Sequence, residues 1–216
     1  MGVPSFIFSL GALPYDHMTR HAHWRAHCAS MVPHFPPGAR RRVLDIGCGP
    51  GVSTLAFRRV APDDTIIGAD VSAAMLERAR RNDPEASCAW MRADALALPL
   101  PDESLDVVTG HSFLYLVPDR AAALAELRRV LRPGGRLVLL EPHRQGVRGD
   151  LRSLWKTLRA VGPWFTFTMS CWRVAAALGG AFRPGDLEAL LSEAGFVDPV
   201  TRATLEGLGY LATASR

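Results

Sequence analysis

Short apolar runs alternate with segments of helical periodicity along most of the chain. Short runs rich in β-branched and aliphatic residues predict strands, and apolar residues that recur every three or four positions predict helices. The predicted strands span 41–46, 65–70, 88–92, 105–109, 136–140, 196–203 and 205–213. The predicted helices span 15–32, 53–60, 73–81, 120–131 and 186–194, with two more between 150 and 182.

The order of these elements predicts an α/β architecture. Five strand–helix units in succession favour a parallel sheet with helices on both faces, because parallel neighbours need crossover connections. The run 136–140 is apolar at nearly every position, which is typical of a strand buried on both faces. The last two runs are joined closely and therefore predict an antiparallel pair.

Composition limits the class of protein. A chain of 216 residues with 48% hydrophobic and 21% charged residues fits one α/β domain with a full core. The net charge of +4 is too small to indicate a nucleic-acid partner. Four scattered cysteines without a C-x-x-C pair favour reduced thiols, so we expect a cytoplasmic protein. The apolar segment 3–13 lacks a basic start and a cleavage site, so no signal peptide is expected.

Residues 43–51 read Val-Leu-Asp-Ile-Gly-Cys-Gly-Pro-Gly and form the most informative stretch of the chain. A strand, a glycine turn and a helix start together predict a nucleotide-type pocket, because glycines let main chain approach a ligand closely. The dinucleotide spacing G-x-G-x-x-G fails at Val52, which disfavours a nicotinamide-dependent oxidoreductase. Asp45 would repel a pyrophosphate, but it suits a ligand that carries a cationic amine.

With this spacing and this acid, the block resembles the first motif of class I S-adenosylmethionine-dependent methyltransferases. The likeness extends from about Tyr15 to the end of the chain. It implies a Rossmann-like, seven-stranded, mostly parallel sheet with an antiparallel last strand. It also implies S-adenosylmethionine as cofactor and S-adenosylhomocysteine as product. In that family the acid serves the amino-acid end of the cofactor and the glycine turn passes beneath it. The implied contacts here are Asp45, Gly47, Cys48, Gly49 and Gly51.

Further cofactor contacts follow the second and third predicted strands. Asp70 closes the second strand, where a carboxylate can accept both ribose hydroxyls; an ordinary capping acid is the alternative. Val71 and Met75 would then lie against the adenine face, or else serve plain helix packing. The resemblance implies that Asp94 takes the adenine amino group and that the backbone amide of Ala95 meets a ring nitrogen.

The fourth predicted strand leads to candidate catalytic residues. His111 and Ser112 follow it, and the resemblance implies that backbone here meets the methionine moiety of the cofactor. His111 is also a candidate base for an acceptor hydroxyl or thiol, with His143 and Tyr115 as reserves; a polar loop lining is the alternative. Amino-directed nucleic-acid methyltransferases usually carry Asn/Asp-Pro-Pro-aromatic at this place, whereas this chain reads His-Ser-Phe-Leu.

The N-terminal segment partly resembles the entry motif of ubiquinone/menaquinone C-methyltransferases. The matching residues are Tyr15, Asp16, Met18, Trp24 and Arg25, and the likeness implies a lid helix with Tyr15 as a cofactor contact. Four histidines lie nearby, at positions 17, 21, 23 and 27. Their two i, i+4 pairs occupy different helix faces and no cysteine completes a tetrahedral set, so no metal site is predicted.

Aromatic residues concentrate between the fifth strand and the last helix. This segment is interpreted as a helical pair packed on the sheet, as an aromatic lid over an apolar substrate, or as a weak membrane-surface contact aided by nearby basic residues. The single predicted domain therefore comprises an N-terminal lid helix (1–38), a cofactor-binding core (39–142), an aromatic helical lid (143–183) and a C-terminal helix and hairpin (184–216).

Together these features predict methyl transfer to a small, apolar or aromatic acceptor by in-line displacement. A non-catalytic S-adenosylmethionine-binding module with a partner-binding aromatic surface is one alternative. An RNA methyltransferase is another, but no strong basic tract or added RNA-binding domain supports a nucleic-acid partner. The sequence leaves the acceptor atom and the oligomeric state open.

Overall fold

A computed structural model describes residues 21–143, 180–204 and 209–216, and isolated positions between 155 and 176. The helices are α1 (Ala22–Ala29), α2 (Val52–Val60), α3 (Ala73–Asn82), α4 (Arg120–Val130) and α5 (Asp186–Glu193). The strands are β1 (Arg42–Ile46), β2 (Thr65–Asp70), β3 (Ala89–Arg92), β4 (Leu105–His111), β5 (Leu131–Pro142), β6 (Val197–Thr204) and β7 (Gly209–Ser215). Two short 3-10 turns span Val32–His34 and Leu114–Leu116.

The strands form one seven-stranded sheet in the order β3-β2-β1-β4-β5-β7-β6. Strands β1 to β5 pair in parallel, and β7 runs antiparallel to both β5 and β6. This arrangement confirms the predicted mostly parallel sheet with an antiparallel last strand. The chain order reverses between β1 and β4, and open α/β sheets bind ligands outside the carboxyl ends of the strands at such a switch point.

Two apolar layers cover the sheet. On one face, Leu124 and Leu127 of α4 and Leu187 and Leu191 of α5 are fully buried in a cluster with the odd-numbered residues of β5. On the other face, Trp24 of α1, Met31 just after it and Phe57 of α2 cover β1, β4 and the even-numbered residues of β5. The alternation follows from the two-residue period of a strand. The shared cluster puts α1 on the face of the sheet that carries Val43 of β1 and Val107 of β4.

The largest departure from the predicted bounds is in β5. The strand was expected at 136–140, because Arg132-Pro133-Gly134-Gly135 is typical of a terminator between elements. The structure begins β5 at Leu131, which pairs with Leu105, and the Gly135 carbonyl accepts a hydrogen bond from the Arg216 amide at 3.0 Å. The extra pairing comes from residues distant in sequence, so a local pattern could not show it.

The helix starts lie close to their expected places because their capping residues are local. The Ser72 hydroxyl accepts the Met75 amide at 3.3 Å, and an Asp119 carboxylate oxygen accepts the Ala122 amide at 2.9 Å. The predicted residues 15–20 of the first helix and most of the two helices expected between 150 and 182 lie outside the described residues. Among the helices in the described ranges, none has the length and apolarity needed to cross a bilayer.

Candidate active site

The glycine loop lies between β1 and α2 and brings bare main chain to the carboxyl edge of the sheet. Gly47 has φ +68°, and a Cβ placed there would lie 2.6 Å from the Phe113 Cβ. Gly51 has φ +83°, and a Cβ there would lie 2.5 Å from the Trp90 ring. Both positions therefore require glycine for its backbone conformation and for the absence of a side chain. Gly49 and Cys48 complete the turn, with Cys48 buried.

Asp45 lies beneath this loop and is fully buried. Its Oδ2 accepts hydrogen bonds from the Ser53 and Thr54 hydroxyls, both at 2.6 Å, and its Oδ1 has no hydrogen-bond partner. Burial raises the pKa of Asp45 from 3.8 to about 6, although the two hydroxyls act against the rise. A cation brought near Oδ1 would stabilise the charged form. The sequence reasoning missed Ser53 and Thr54, whose signal was two hydroxyls in the first turn after the glycines.

Asp70 joins the glycine loop to the start of α3. Its Oδ2 accepts the Gly49 amide at 2.9 Å, and its Oδ1 accepts the Ser72 amide at 2.8 Å. A carboxylate oxygen has two lone pairs, so each oxygen keeps one for a further donor such as a ribose hydroxyl. The side chain is partly exposed at the carboxyl end of β2, as a ligand contact requires.

Two neighbouring loops form an exposed apolar edge beside Asp70. Val71 is 62% exposed and Leu96 is 40% exposed, although both are apolar. Asp94 is also exposed, and its Oδ1 accepts the Leu96 amide at 3.0 Å, while Ala95 is buried. Strands β2 and β3 are paired at Asp70, which places these loops side by side. Leu96 was not among the predicted contacts; its signal was an apolar residue in an otherwise polar turn.

The carboxyl end of β4 brings His111 and Ser112 under α1. The His111 ring lies 4.7 Å from the Trp24 ring and 6.4 Å from the His27 ring, centroid to centroid. Burial, and secondarily the nearby His27, lowers the pKa of His111 from 6.5 to about 3. The imidazole is therefore neutral near pH 7 and acts as a hydrogen-bonding group. Ser112 has φ +56°, and its amide donates to the Leu140 carbonyl at 2.7 Å.

In the described part of the chain, four buried polar atoms without hydrogen-bond partners lie at the ends of β1 and β4. They are Asp45 Oδ1, Thr109 Oγ1, His111 Nε2 and Ser112 Oγ. Asp45 and Thr109 are direct neighbours in the parallel pairing of β1 with β4. A buried polar group without a partner costs about 1–3 kcal/mol, so a polar ligand bound here would stabilise the site. An acid, two hydroxyls and a neutral imidazole fit the ammonium and carboxylate groups of the methionine end of S-adenosylmethionine.

The two reserve catalytic residues are buried near the same edge. Tyr115 lies in the 3-10 turn after β4 and is 6% exposed. His143 follows β5, is 7% exposed and has its ring 4.1 Å from the Tyr210 ring, and burial lowers its pKa. Strand alternation places His143 on the face of the sheet opposite to His111. The structure therefore brings both residues to the edge but does not group them with His111. Tyr15 lies outside the described residues.

Glu141, near the end of β5, was missed by the sequence reasoning. It is fully buried and accepts hydrogen bonds from the amides of Phe113, Leu114 and Tyr115 at 3.1, 2.8 and 3.2 Å. Burial raises its pKa from 4.5 to about 7. An acid inside a run of buried apolar residues was the available signal.

A cavity of about 300 Å³ lies away from these residues. It is on the β5–β7–β6 part of the sheet and is lined by His34, Arg136, Asp198, Val200, Arg202, Leu211, Thr213, Ala214 and Ser215. None of the predicted cofactor contacts within the described ranges lines it. Across the part of the chain that the structure describes, no three His, Cys, Asp or Glu side chains are grouped so as to hold a metal ion.

Comparison with known proteins places this geometry in a family. The "Methyltransferase domain" family matches residues 44–139. The chain is 34% identical over 178 residues to a trans-aconitate 2-methyltransferase of Methylobacterium radiotolerans, covering 82% of this chain and 63% of that protein. It is 34% identical over 180 residues to a demethylmenaquinone methyltransferase of Symbiobacterium thermophilum, covering 76% of this chain and 71% of that protein.

Solved structures agree on the fold. A methyltransferase of Haloferax volcanii, solved with the activator Trm112, has a TM-score of 0.70 and 18% identity, covering 97% of this chain and 96% of that chain. An S-adenosylmethionine-dependent methyltransferase of Aquifex aeolicus has a TM-score of 0.65 and 16% identity, covering 87% of this chain and 88% of that chain. The chain therefore belongs to the class I S-adenosylmethionine-dependent methyltransferases, and it is an enzyme whose methyl donor is S-adenosylmethionine.

Proposed function

We propose that this enzyme methylates a small, apolar or aromatic acceptor by in-line displacement at the carboxyl ends of β1 and β4. The observation that carries the proposal is the cluster of unpartnered buried polar atoms at these strand ends, with aromatic side chains beside it. The names of the relatives point to different acceptors, trans-aconitate in one protein and demethylmenaquinone in another. These names therefore do not identify one acceptor class for this chain, and the residues of the site are the better guide.

The cofactor side of the site is assigned to three carboxylates and the glycine loop. When bound, S-adenosylmethionine supplies a methyl group on a positively charged sulfur. Asp45 attracts the cofactor amine, and Asp70 accepts the ribose hydroxyls while holding the glycine loop through the Gly49 amide. Asp94 and Ala95 meet the adenine edge, and Val71 with Met75 covers one ring face. The exposed Val71 and Leu96 support this assignment, because a bound adenine would remove their apolar surface from water.

The acceptor side is assigned to His111 and the aromatic residues around it. A neutral His111 accepts or donates one hydrogen bond and so orients an acceptor hydroxyl, amine or thiol. Its low pKa makes it a weak base, so its main contribution is orientation, for which well-positioned reacting groups gain about 7–11 kcal/mol. Trp24 provides an apolar surface beside His111, with 4.7 Å between the centres of the two rings. His143 and Tyr115 remain weaker candidates because strand alternation assigns His143 to the face opposite His111, and Tyr115 packs in the core cluster of that opposite face.

Among the described residues, Arg120 beside the turn after β4 is partly engaged within the fold, which favours an uncharged acceptor over a polyanion. Arg120 lies at the start of α4, and its Nη2 donates to the carbonyls of Tyr115 and Gly180 at 3.1 and 2.9 Å. Its guanidinium also lies 4.7 Å from the centre of the Phe182 ring. These contacts engage Nη2 and one face of the Arg120 guanidinium within the fold, which leaves fewer of its donors for carboxylate groups of an acceptor.

Part of the segment after β5 packs in the core, where Ala176 is fully buried, but its described aromatic side chains favour the lid or surface interpretation. Its described aromatic side chains Trp155, Trp164 and Phe167 are 58%, 56% and 53% exposed. Large apolar side chains packed on a sheet would be buried instead. Contact with an apolar substrate or a lipid surface would cover them. We propose a small-molecule acceptor, with weak membrane-surface contact as an accompanying property and no nucleic-acid partner.

A panel assay tests the acceptor class. The purified enzyme is incubated with methyl-labelled S-adenosylmethionine and separate pools of phenols and quinols, thiols, amines, polycarboxylic acids and RNA. Release of S-adenosylhomocysteine and labelled product is measured by mass spectrometry. We expect release of S-adenosylhomocysteine and labelled product with apolar aromatic acceptors. Methylation confined to polycarboxylic acids or to RNA would overturn the proposal.

A further inference from the structure

We propose that Glu141 is a positioning residue for methyl transfer, whose buried carboxylate holds the chain after β4 against the glycine loop. The inference rests on the proposed function, because it concerns how that site is assembled. Glu141 itself touches neither the glycine loop nor His111 through a hydrogen bond. It acts through the three residues whose amides it binds.

Three backbone amides converge on the Glu141 carboxylate. Oε1 accepts the amides of Phe113 and Leu114 at 3.1 and 2.8 Å, and Oε2 accepts the amide of Tyr115 at 3.2 Å. These donors begin the 3-10 turn Leu114–Leu116, whose first amides have no partner within the turn. Hydrogen bonds to a charged acceptor are stronger than those to a neutral one, so the carboxylate fixes the position of the turn.

The Phe113 side chain connects this turn to the glycine loop. The Phe113 side chain packs on two glycines: a Cβ would lie 2.6 Å from it at Gly47 and 2.7 Å from it at Gly110. There is no free space between Phe113 and either backbone. The place of the Phe113 amide therefore determines how the glycine loop lies. The same turn begins immediately after His111 and Ser112, so it also sets the direction of the acceptor-side residues.

The groups around Glu141 make the clamp sensitive to pH. Arg120 of α4 favours the charged form, Tyr210 lies directly opposite on β7, and the His143 ring packs on Tyr210. Burial outweighs the three amides and Arg120 and raises the pKa of Glu141 to about 7. Protonation would place a donor on an oxygen that now accepts an amide. The turn should therefore loosen as the pH falls through about 7.

The test compares Glu141→Gln with the wild-type enzyme by calorimetry with S-adenosylhomocysteine at pH 6, 7 and 8. The glutamine keeps one acceptor oxygen but turns an NH₂ group towards an amide that needs an acceptor. At pH 8 we expect Glu141→Gln to bind S-adenosylhomocysteine at least about tenfold more weakly than the wild type. Wild-type affinity should fall between pH 8 and pH 6, and the variant should lose the share of this fall that belongs to Glu141 while keeping the share that belongs to Asp45. Asp45 titrates in both proteins, so the difference between them isolates Glu141.

Hydrogen exchange gives a readout that needs no ligand. The amides of residues 113–115 should exchange faster in Glu141→Gln than in the wild type, most clearly at Tyr115. Glu141→Asp keeps the charge on a shorter side chain, so it should bind with intermediate affinity and retain the pH dependence. This variant also serves if Glu141→Gln fails to fold.

Asp64→Asn is the matched control. Asp64 is also buried, accepts the Arg41 amide at 3.0 Å and pairs with the Arg41 guanidinium at 2.8 Å, but it lies just before β2 at the opposite end of the sheet. The Asp64→Asn variant should be less stable than the wild type but should bind S-adenosylhomocysteine with wild-type affinity and wild-type pH dependence. If Glu141→Gln matches the wild type in affinity, pH dependence and exchange, the inference is wrong and the proposed function stands. If the wild type itself fails to bind S-adenosylhomocysteine, the proposed function fails.

Discussion

Asp45→Asn separates the cofactor role of this acid from its effect on folding. The substitution keeps an oxygen that can accept the Ser53 and Thr54 hydroxyls and removes only the buried charge. If Asp45 were a structural acid, its loss should destabilise the fold. If it is held for the cofactor amine, the unliganded protein should become more stable and cofactor affinity should fall.

The magnitude follows from the pKa of the buried carboxyl. A rise from 3.8 to about 6 means that the folded state disfavours the charged form by about 3 kcal/mol. Between these two pH values the folded protein binds a proton on Asp45 that the unfolded chain does not bind. The free energy of unfolding therefore falls as the pH rises, and the full destabilisation by the buried charge is reached above about pH 6. At pH 8 the asparagine variant should therefore gain about 1–3 kcal/mol, or roughly 3–10 °C in unfolding midpoint for a domain of this size.

Two measurements are needed on each protein. Thermal unfolding at pH 4 and pH 8 gives the stability difference, which should be present at pH 8 and small at pH 4. Calorimetry with S-adenosylhomocysteine gives the affinity, which should fall about tenfold to a hundredfold, because a charge-assisted hydrogen bond is lost. A variant that is less stable at pH 8, or that binds the ligand as well as the wild type, would show that Asp45 is not held for the cofactor amine.

Three further outcomes are expected. Asp70→Ala should weaken S-adenosylhomocysteine binding about ten- to hundredfold by calorimetry with an unchanged circular dichroism spectrum, and equal affinity would contradict the ribose assignment. Gly47→Ala should lower the unfolding midpoint well below that of Gly134→Ala: both glycines have positive φ, but only at Gly47 would a Cβ meet Phe113, and equal midpoints would argue against that close packing. The pKa of His111 is lowered from 6.5 to about 3, so its unfolded form binds the extra proton and stability is lost as the pH falls through that window. His111→Gln should flatten this dependence in acid titrations followed by fluorescence, and an unchanged slope would exclude a buried neutral imidazole.

The elements around the cofactor loop could be predicted because their signals are local. An apolar run, a glycine turn with Asp45 and a helix follow each other within 20 residues, and β2 ends at Asp70 as expected. Period and capping chemistry act over a few residues, so sequence patterns report them directly.

The parts that could not be predicted depend on contacts between distant segments. Glu141 binds amides 26 to 28 residues away in sequence, and Trp24 meets His111 only because α1 crosses the sheet. The interpretation of His111 as a base also changes in the fold, since its surroundings lower its pKa. Nothing in a histidine's sequence neighbours shows how deeply the fold will bury it.

A crystal structure with S-adenosylhomocysteine tests the location of the site most directly. We expect density at the carboxyl ends of β1, β2 and β4, with the amine within hydrogen-bond distance of Asp45 and the ribose hydroxyls on Asp70. Density in the cavity beside Arg136 and Arg202, or at the carboxyl edge without contact to either acid, would contradict this expectation.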